Sequence, residues 1–172
     1  MLKIVLNLKL LIMENSANRK TPQINILLTF VALVSLIFLS FYSMYGNTFI
    51  FKRLENYIFP CVTIIHFLYM YVLWFKITEK EYPDMIMKNI EYVMYCILLV
   101  YIYEISESFF ILGSQNEFLD HVIPSSFMPM GILIISLQSI LVLLTIWSFF
   151  IRKQKVGKYD FDYLNNHIDA WE

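Results

Sequence analysis

The chain has 172 residues, of which 59% are hydrophobic, 17% aromatic and 16% charged, and its formal net charge is −1. A water-soluble domain of this composition would expose far more apolar surface than such domains carry, so that class is excluded. The sequence also holds no nucleic-acid-binding motif.

Four apolar runs, at residues 24–45, 57–75, 90–112 and 129–151, are each close to the ~20 residues that a helix needs to cross ~30 Å of hydrocarbon. The third run contains Glu91, Glu104 and Glu107, whereas the other runs carry no Asp, Glu, Lys or Arg. None of the runs alternates apolar and polar residues as a barrel strand does. The pattern therefore predicts an all-α integral membrane protein in which residues 24–151 form a domain of four transmembrane helices.

The flanking segments, residues 1–23 and 152–172, are predicted to lie outside this domain. Residues 1–13 are too short to span and lack a signal-peptide cleavage site, which favours a cytoplasmic or interfacial N-terminal segment. The alternative is that translation begins at Met13, where the sequence becomes polar. Residues 152–172 begin basic and end acidic and aromatic, a composition suited to binding a protein or small-molecule regulator at the cytoplasmic face.

Basic residues are concentrated on one side of the predicted topology. The N-terminus, the loop 76–88 and the tail share the side that holds Lys3, Lys9, Arg19, Lys20, Lys76, Lys80, Lys88, Arg152, Lys153, Lys155 and Lys158, while the opposite side holds Lys52 and Arg53. Because positively charged loops stay in the cytoplasm, this bias predicts a multi-pass protein of the cell membrane with both termini cytoplasmic.

Polar side chains occur at a similar depth in each predicted helix. Glu104 lies ~4–5 Å beyond the midpoint of the third run, at 1.5 Å per residue. Ser35, His66 and Gln138 lie near the midpoints of the other runs. Polar groups in hydrocarbon face the bundle interior or an aqueous path, and an ionisable one is a candidate for function. This layer, together with Glu107 one turn further along, is predicted to line a pore or a polar interior.

Thr145 is a further candidate, because it recurs with Gln138 and Gly131 at a spacing of seven residues. A stripe of small and polar residues usually indicates close helix packing in lipid, and pore lining is the alternative. For His66 a hydrogen-bonded structural role is favoured over a proton relay. For Glu104 a functional role is favoured over a structural one.

Motifs of known enzymes are missing from the sequence, which has no HExxH, no GxSxG and no P-loop. Cys61 and Cys96 are predicted at depths too different for a disulfide, and they do not form the CxxC pair of thiol oxidoreductases. A metal site from His66, Glu104 and Glu107 would have suitable ligand types but lacks a spacing motif. No cofactor, metal ion or catalytic residue is therefore predicted.

The predicted function is a small channel or pore that passes ions as a symmetric homo-oligomer, because thin helices of one chain enclose little space and rings of acidic residues conduct cations. A gated effector of a bacterial defence or toxin system is one context for such a protein. The first alternative is a non-catalytic accessory or scaffold subunit that recruits a partner through its tail. The second is an intramembrane enzyme or proton-coupled carrier that uses Glu104 and His66. The expected partners are the lipid bilayer, further copies of the chain and a cytoplasmic regulator.

Overall fold

The computed structural model describes the backbone of residues 2–114 and 124–159, with the side chains of these ranges from Lys20 onward. In chain order it contains α1 (Leu2–Ser40), β1 (Tyr42–Ser43), β2 (Thr48–Phe49), a 3₁₀ turn (Leu54–Tyr57), α2 (Ile58–Glu79), α3 (Met85–Gly113) and α4 (Phe127–Lys155). Within the described ranges, four helical segments are long and apolar enough to cross a membrane. The prediction of an all-helical chain with four such helices is confirmed, whereas the predicted tail beyond residue 159 lies outside the described residues.

α1 begins at Leu2, so the predicted N-terminal segment is continuous with the first span. The helix ends at Ser40 rather than at residue 45, because the chain turns there into a hairpin in which Tyr42 pairs with Phe49. Asn47 adopts the left-handed conformation at φ 49°, which asparagine tolerates better than most residues. Its Oδ1 accepts a hydrogen bond of 2.6 Å from the Tyr42 hydroxyl, which closes the turn.

α3 and α4 are both longer than their apolar runs. α3 begins at Met85, before its apolar run, which starts at residue 90. The side chain of Asp84 caps the helix there, because it accepts a hydrogen bond of 2.8 Å from the Met87 amide. α4 continues to Lys155, which places Arg152 in the helix rather than in the tail. Both helices extend beyond their apolar runs into segments that contain charged residues. The apolar pattern alone therefore underestimates the length of these helices.

The helices run alternately in opposite directions and close into a bundle, since α1 and α3 each pack against both α2 and α4. The hairpin, the 3₁₀ turn and the start of α4 lie at one end, which we call the hairpin end. The turn at residues 80–84 and the end of α4 lie at the other, which we call the Arg152 end. The axis between these two ends is the direction in which the helices would cross a membrane.

Large side chains fill the interior of the bundle: Leu33, Tyr69, Leu73, Met94 and Leu141 are fully buried. The outward faces of the helices expose apolar side chains such as Leu27, Phe38, Ile64, Tyr71, Leu99, Phe110, Leu143 and Phe150. Water-soluble proteins rarely expose apolar surface of this extent. This surface, with the length of the helices, suggests a multi-pass membrane protein.

Candidate functional site

A cavity of about 530 Å³ lies at the hairpin end, between α1, the hairpin, the 3₁₀ turn, the start of α2, α3 and α4. Its polar lining includes Ser40, Ser43, Arg53, Glu55, Asn56, Glu104, Glu107, Ser108 and Gln138. Its apolar lining includes Leu36, Leu39, Ile58, Phe59, Ile111 and Ile134. The cavity therefore combines a charged set of side chains with hydrocarbon walls.

One face of α3 supplies the carboxylates nearest the interior. Glu104, Glu107 and Ser108 are three and four residues apart, a spacing that places them on the same side of a helix. Glu104 is half-buried and Glu107 is exposed, whereas Ser108 is buried. Glu55 and Arg53, both exposed, belong to the connection before α2. Among the described lining residues, three carboxyl groups thus accompany one guanidinium, a balance that favours cations.

Gln138 supplies a hydrogen-bond acceptor without a partner. Only 6% of this residue is exposed, and its side chain lines the cavity. Within the part of the chain that the structure describes, no group donates a hydrogen bond to its Oε1. A buried polar atom left in this state costs ~1–3 kcal/mol. The oxygen itself is covered by its neighbours, so its unpaired state reflects packing around Gln138 rather than an opening toward the cavity.

His66 is fully buried and does not line the cavity. Its Nδ1 lies 3.0 Å from the Tyr101 hydroxyl, and the two rings stack with their centroids 5.8 Å apart. Tyr101 thus pairs with His66 rather than with Glu104. The predicted polar layer is therefore divided, since Glu104 and Gln138 meet in the cavity while His66 belongs to a separate pair.

Ser35 and Thr145 also lie apart from the cavity. Ser35 is half-buried on α1. Thr145 is fully buried, and its hydroxyl donates a hydrogen bond of 2.7 Å to the Leu141 carbonyl within α4. A Cβ added to Gly131, on the same stripe, would lie 2.4 Å from Leu112 Cδ1 on α3. These contacts agree with a packing role for the α4 stripe.

A second polar cluster joins α3 to α4 at the Arg152 end. Arg152 Nη2 donates a hydrogen bond of 2.6 Å to Glu91 Oε1, and both residues are buried. Glu91 also accepts hydrogen bonds from the hydroxyls of Tyr95, at 2.9 Å, and of Tyr159. These groups were not predicted to pair from the sequence. The signal that would have found them is the presence of opposite charges at the same end of two consecutive helices.

The residues after α4 fold back onto this cluster. Arg152 Nη1 donates a hydrogen bond of 3.0 Å to the Gly157 carbonyl, and its guanidinium lies 4.5 Å from the centre of the Tyr159 ring. Burial, together with the hydrogen bond to Glu91 and the charge of that carboxylate, raises the pKa of Tyr159. The Tyr159 hydroxyl therefore keeps its proton at neutral pH and donates a hydrogen bond to Glu91.

Among the described residues, no group of three or more His, Cys, Asp or Glu side chains is positioned to hold a metal ion. His66, Glu104 and Glu107 accordingly do not form a ligand set, and Cys61 and Cys96 are unpaired and exposed. No family model, no curated protein and no solved structure matches the chain. The geometry of the cavity is therefore the basis for assigning a function.

Proposed function

We propose that the protein is a multi-pass membrane protein whose copies assemble into a homo-oligomeric channel for cations, with the cavity at the hairpin end as its entrance. The observation that carries this proposal is the meeting of Glu104, Glu107 and Gln138 in one cavity. Carboxylates at the mouth of a pore attract cations and replace part of their hydration shell.

The charge distribution supports an orientation with the hairpin end outside the cell. Basic residues at the Arg152 end include Lys76, Lys80, Lys88, Arg152, Lys153 and Lys155, whereas the hairpin end carries Lys52 and Arg53. By the positive-inside rule, the Arg152 end and both termini face the cytoplasm. Cations would then enter the cavity from outside.

Assembly of several copies is part of the proposal because the interior of one bundle is filled. Between the cavity and the Arg152 end lie Tyr69, Met94 and Leu141, all fully buried. Within the described spans, the most apolar stretch of α3 has the smallest buried share, 17% against 28–33% for the others. A second copy packed on the exposed apolar side chains of α3, such as Leu99 and Phe110, would bury them and place the pathway between copies.

A cation-coupled carrier is a second candidate. It is favoured by the buried side chains that fill the interior between the cavity and the Arg152 end. A carrier is open to one side of the membrane at a time, and His66 lies in the packed interior, where it could take part in coupling. A carrier exchanges substrate across the membrane and shows counterflow, whereas an open channel does not. Measurement of counterflow in cation-loaded liposomes therefore separates the two candidates.

The test is potassium flux into liposomes that contain the purified full-length protein. Glu104→Gln should lower the initial rate by about tenfold or more, because a charge ~4 Å from a cation in a partly buried site contributes up to ~4 kcal/mol. Glu107→Gln should lower it by only about threefold, because water screens an exposed carboxylate. Glu79→Gln, a matched change on the exposed end of α2, should leave the rate unchanged.

Thermal unfolding and the mass of the detergent complex establish that each variant is folded and assembled. Wild-type flux in the Glu104→Gln variant would contradict the proposed role of the cavity. A monomeric mass with no flux would contradict the channel altogether, and would favour an accessory subunit that acts through a partner.

A further inference from the structure

We propose that residues 157–159 form a latch with two states, in which Tyr159 and Tyr69 alternate as hydrogen-bond donors to Glu91. In the closed state, seen in the structure, Tyr159 is the donor and the latch lies on the bundle. In the open state the latch has swung away and the Tyr69 hydroxyl donates to Glu91 in its place. The inference goes beyond the proposed function, since it concerns the Arg152 end and holds whether or not the bundle conducts ions.

Among the residues that the structure describes, two hydrogen bonds and one ring contact hold the closed latch to the side chains of Glu91 and Arg152. The Tyr159 hydroxyl donates to Glu91 Oε2. Arg152 Nη1 donates a hydrogen bond of 3.0 Å to the Gly157 carbonyl, and its guanidinium lies 4.5 Å from the centre of the Tyr159 ring. Lys158, between them, is exposed. Opening of the latch breaks these three contacts and leaves the hydrogen bond between Arg152 and Glu91 in place.

Gly157 provides the hinge of the latch. Its φ of 108° lies in a region that side chains other than hydrogen rarely allow. A Cβ added there would meet no atom within 4 Å, so backbone conformation and not lack of space is what a substitution would disturb. Val156, the residue before it, is buried in the hydrophobic core. The end of α4 therefore stays fixed while the chain beyond Val156 turns.

Tyr69 on α2 provides the alternative donor. It is fully buried, and within the described part of the chain its hydroxyl has no hydrogen-bond partner, which is unfavourable for a buried donor. Its ring packs edge-on against Phe149, with the centroids 5.7 Å apart. Tyr95, which donates to Glu91, packs against the same Phe149 at 4.7 Å. Tyr69 thus lies beside the carboxylate of Glu91, which acts on it electrostatically, without a hydrogen bond to it.

The exchange of donors takes place at one oxygen. Glu91 Oε1 already accepts from Arg152 and Tyr95, so Oε2 is the oxygen that Tyr159 leaves. Once it has left, a small rotation of the Glu91 or Tyr69 side chain pairs the two and removes the cost of the unpaired hydroxyl. Tyr69 therefore lowers the free energy of the open state relative to the closed state, and this keeps the latch releasable.

Opening of the latch changes the contact between two helices. Arg152 on α4 loses the Gly157 acceptor and the covering ring, and its Nε has no partner among the described residues even when the latch is closed. Glu91 on α3 exchanges a donor from beyond α4 for one on α2. Any partner that binds the chain only while the latch is open would shift this equilibrium, and with it the packing at the Arg152 end.

The test is hydrogen exchange of the full-length protein in phosphatidylglycerol nanodiscs, read by mass spectrometry of overlapping peptides and corrected for intrinsic rates. The reporter is the amide of residue 157, which donates a hydrogen bond of 3.3 Å to the Arg152 carbonyl in the closed state. Gly157→Ala should speed its exchange by about fivefold, because alanine disfavours the closed backbone. Lys158→Ala, a change on the exposed face of the latch, should leave the rate unchanged.

Four proteins decide whether Tyr69 and Tyr159 alternate: the wild type, Tyr69→Phe, Tyr159→Phe and the double variant. Tyr69→Phe should slow exchange by about tenfold, because only the open state uses its hydroxyl to bind a charged acceptor. Tyr159→Phe should change the rate by less than about twofold, because Tyr69 then pairs with Glu91 in both states. The double variant should exchange like Tyr159→Phe, since neither state has a hydroxyl to lose.

A fixed contact without an alternative donor gives a different pattern. Tyr159→Phe would then speed exchange by the same factor with and without Tyr69→Phe, and Tyr69→Phe alone would have no effect. Either result would overturn the latch. Thermal unfolding of each variant establishes that the bundle is folded, and the expected pattern among folded variants supports the latch independently of any flux measurement.

Discussion

The Glu91 carboxylate is surrounded by hydrogen-bond donors on three different parts of the fold: Arg152 on α4, Tyr95 on α3 and Tyr159 beyond α4. Removing two charges from water costs several kcal/mol per ion, and their attraction offsets this only where the geometry is good and the remaining lone pairs are satisfied. Both oxygens of Glu91 accept hydrogen bonds here, so the attraction offsets the cost of desolvation and leaves little net gain in stability. The main effect of the pair is therefore to fix the position of α3 relative to α4.

Breaking this pair from one side should be costly. Glu91→Gln leaves the Arg152 guanidinium buried without a countercharge, and we expect a loss on the order of 3–5 kcal/mol in the free energy of unfolding. Arg152→Met should cost a similar amount for the opposite reason. The double variant should lose clearly less than the sum of the two, because neither unpaired charge remains. Circular dichroism during unfolding of the detergent-solubilised protein measures all three.

A control change at the same end is Lys153→Met, since Lys153 is exposed on the same helix and the substitution should be nearly neutral. Additive losses in the double variant would mean that Glu91 and Arg152 act independently. The interpretation of the cluster as a coupled pair would then be wrong.

At the scale of elements, the start of α3 depends on one residue in the turn at 80–84. Asp84 accepts the Met87 amide and also forms an ion pair of 2.9 Å with Lys76 at the end of α2. Burial alone would raise the pKa of Asp84, but these hydrogen bonds and the Lys76 charge outweigh it and hold that pKa below its usual value. The ionised form is therefore the one that stabilises the fold.

Substitutions of Asp84 should separate the cap from the ion pair. Asp84→Ala removes both and should cost about 1 kcal/mol in the free energy of unfolding, the usual value of an N-cap. Asp84→Asn keeps an acceptor for the Met87 amide and should cost less. Thermal unfolding in detergent measures the difference, and equal losses for the two variants would show that the ion pair is the larger contribution.

The pH dependence follows from the direction of the shift. Because the pKa of Asp84 is lowered in the folded state, its contribution is present above the unfolded value of ~3.9 and is lost as the pH falls through the lower folded value. The stability difference between wild type and Asp84→Asn should accordingly be constant from pH 7 to about pH 5, and shrink below about pH 4. A difference that grows on acidification would contradict this assignment.

The elements also show which features a sequence determines. Run length and apolarity predicted helices in the right places, because crossing hydrocarbon requires a minimum length. Depth along each axis follows from counting residues, and Glu104 and Gln138, predicted at a similar depth, both line the cavity. Rotation about the axis depends on packing partners, which is why His66 and Ser35, at a similar predicted depth, do not reach the cavity. The hairpin was missed because the first apolar run was extended to residue 45, and the signal that would have found it is the turn-forming pair Gly46–Asn47.

At the scale of the molecule, the two ends of the bundle differ in chemistry. The hairpin end has an acidic cavity, and the Arg152 end has a closed ion-pair cluster with basic residues around it. In a membrane, this difference between the ends would favour one orientation of the bundle. It also ties the proposed entrance for cations to the side on which the hairpin lies.

The orientation can be tested by labelling single cysteines in intact cells. Cys61 and Cys96 are exposed, so both are first replaced by alanine. In that background, Thr48→Cys on the hairpin should react with a membrane-impermeant maleimide from outside, because the positive-inside rule places the less basic end there. Gln154→Cys, exposed near the end of α4, should react only after the membrane is permeabilised.

The opposite labelling pattern would contradict the proposed orientation and turn the cavity toward the cytoplasm, while the geometry of the cavity itself would be unaffected.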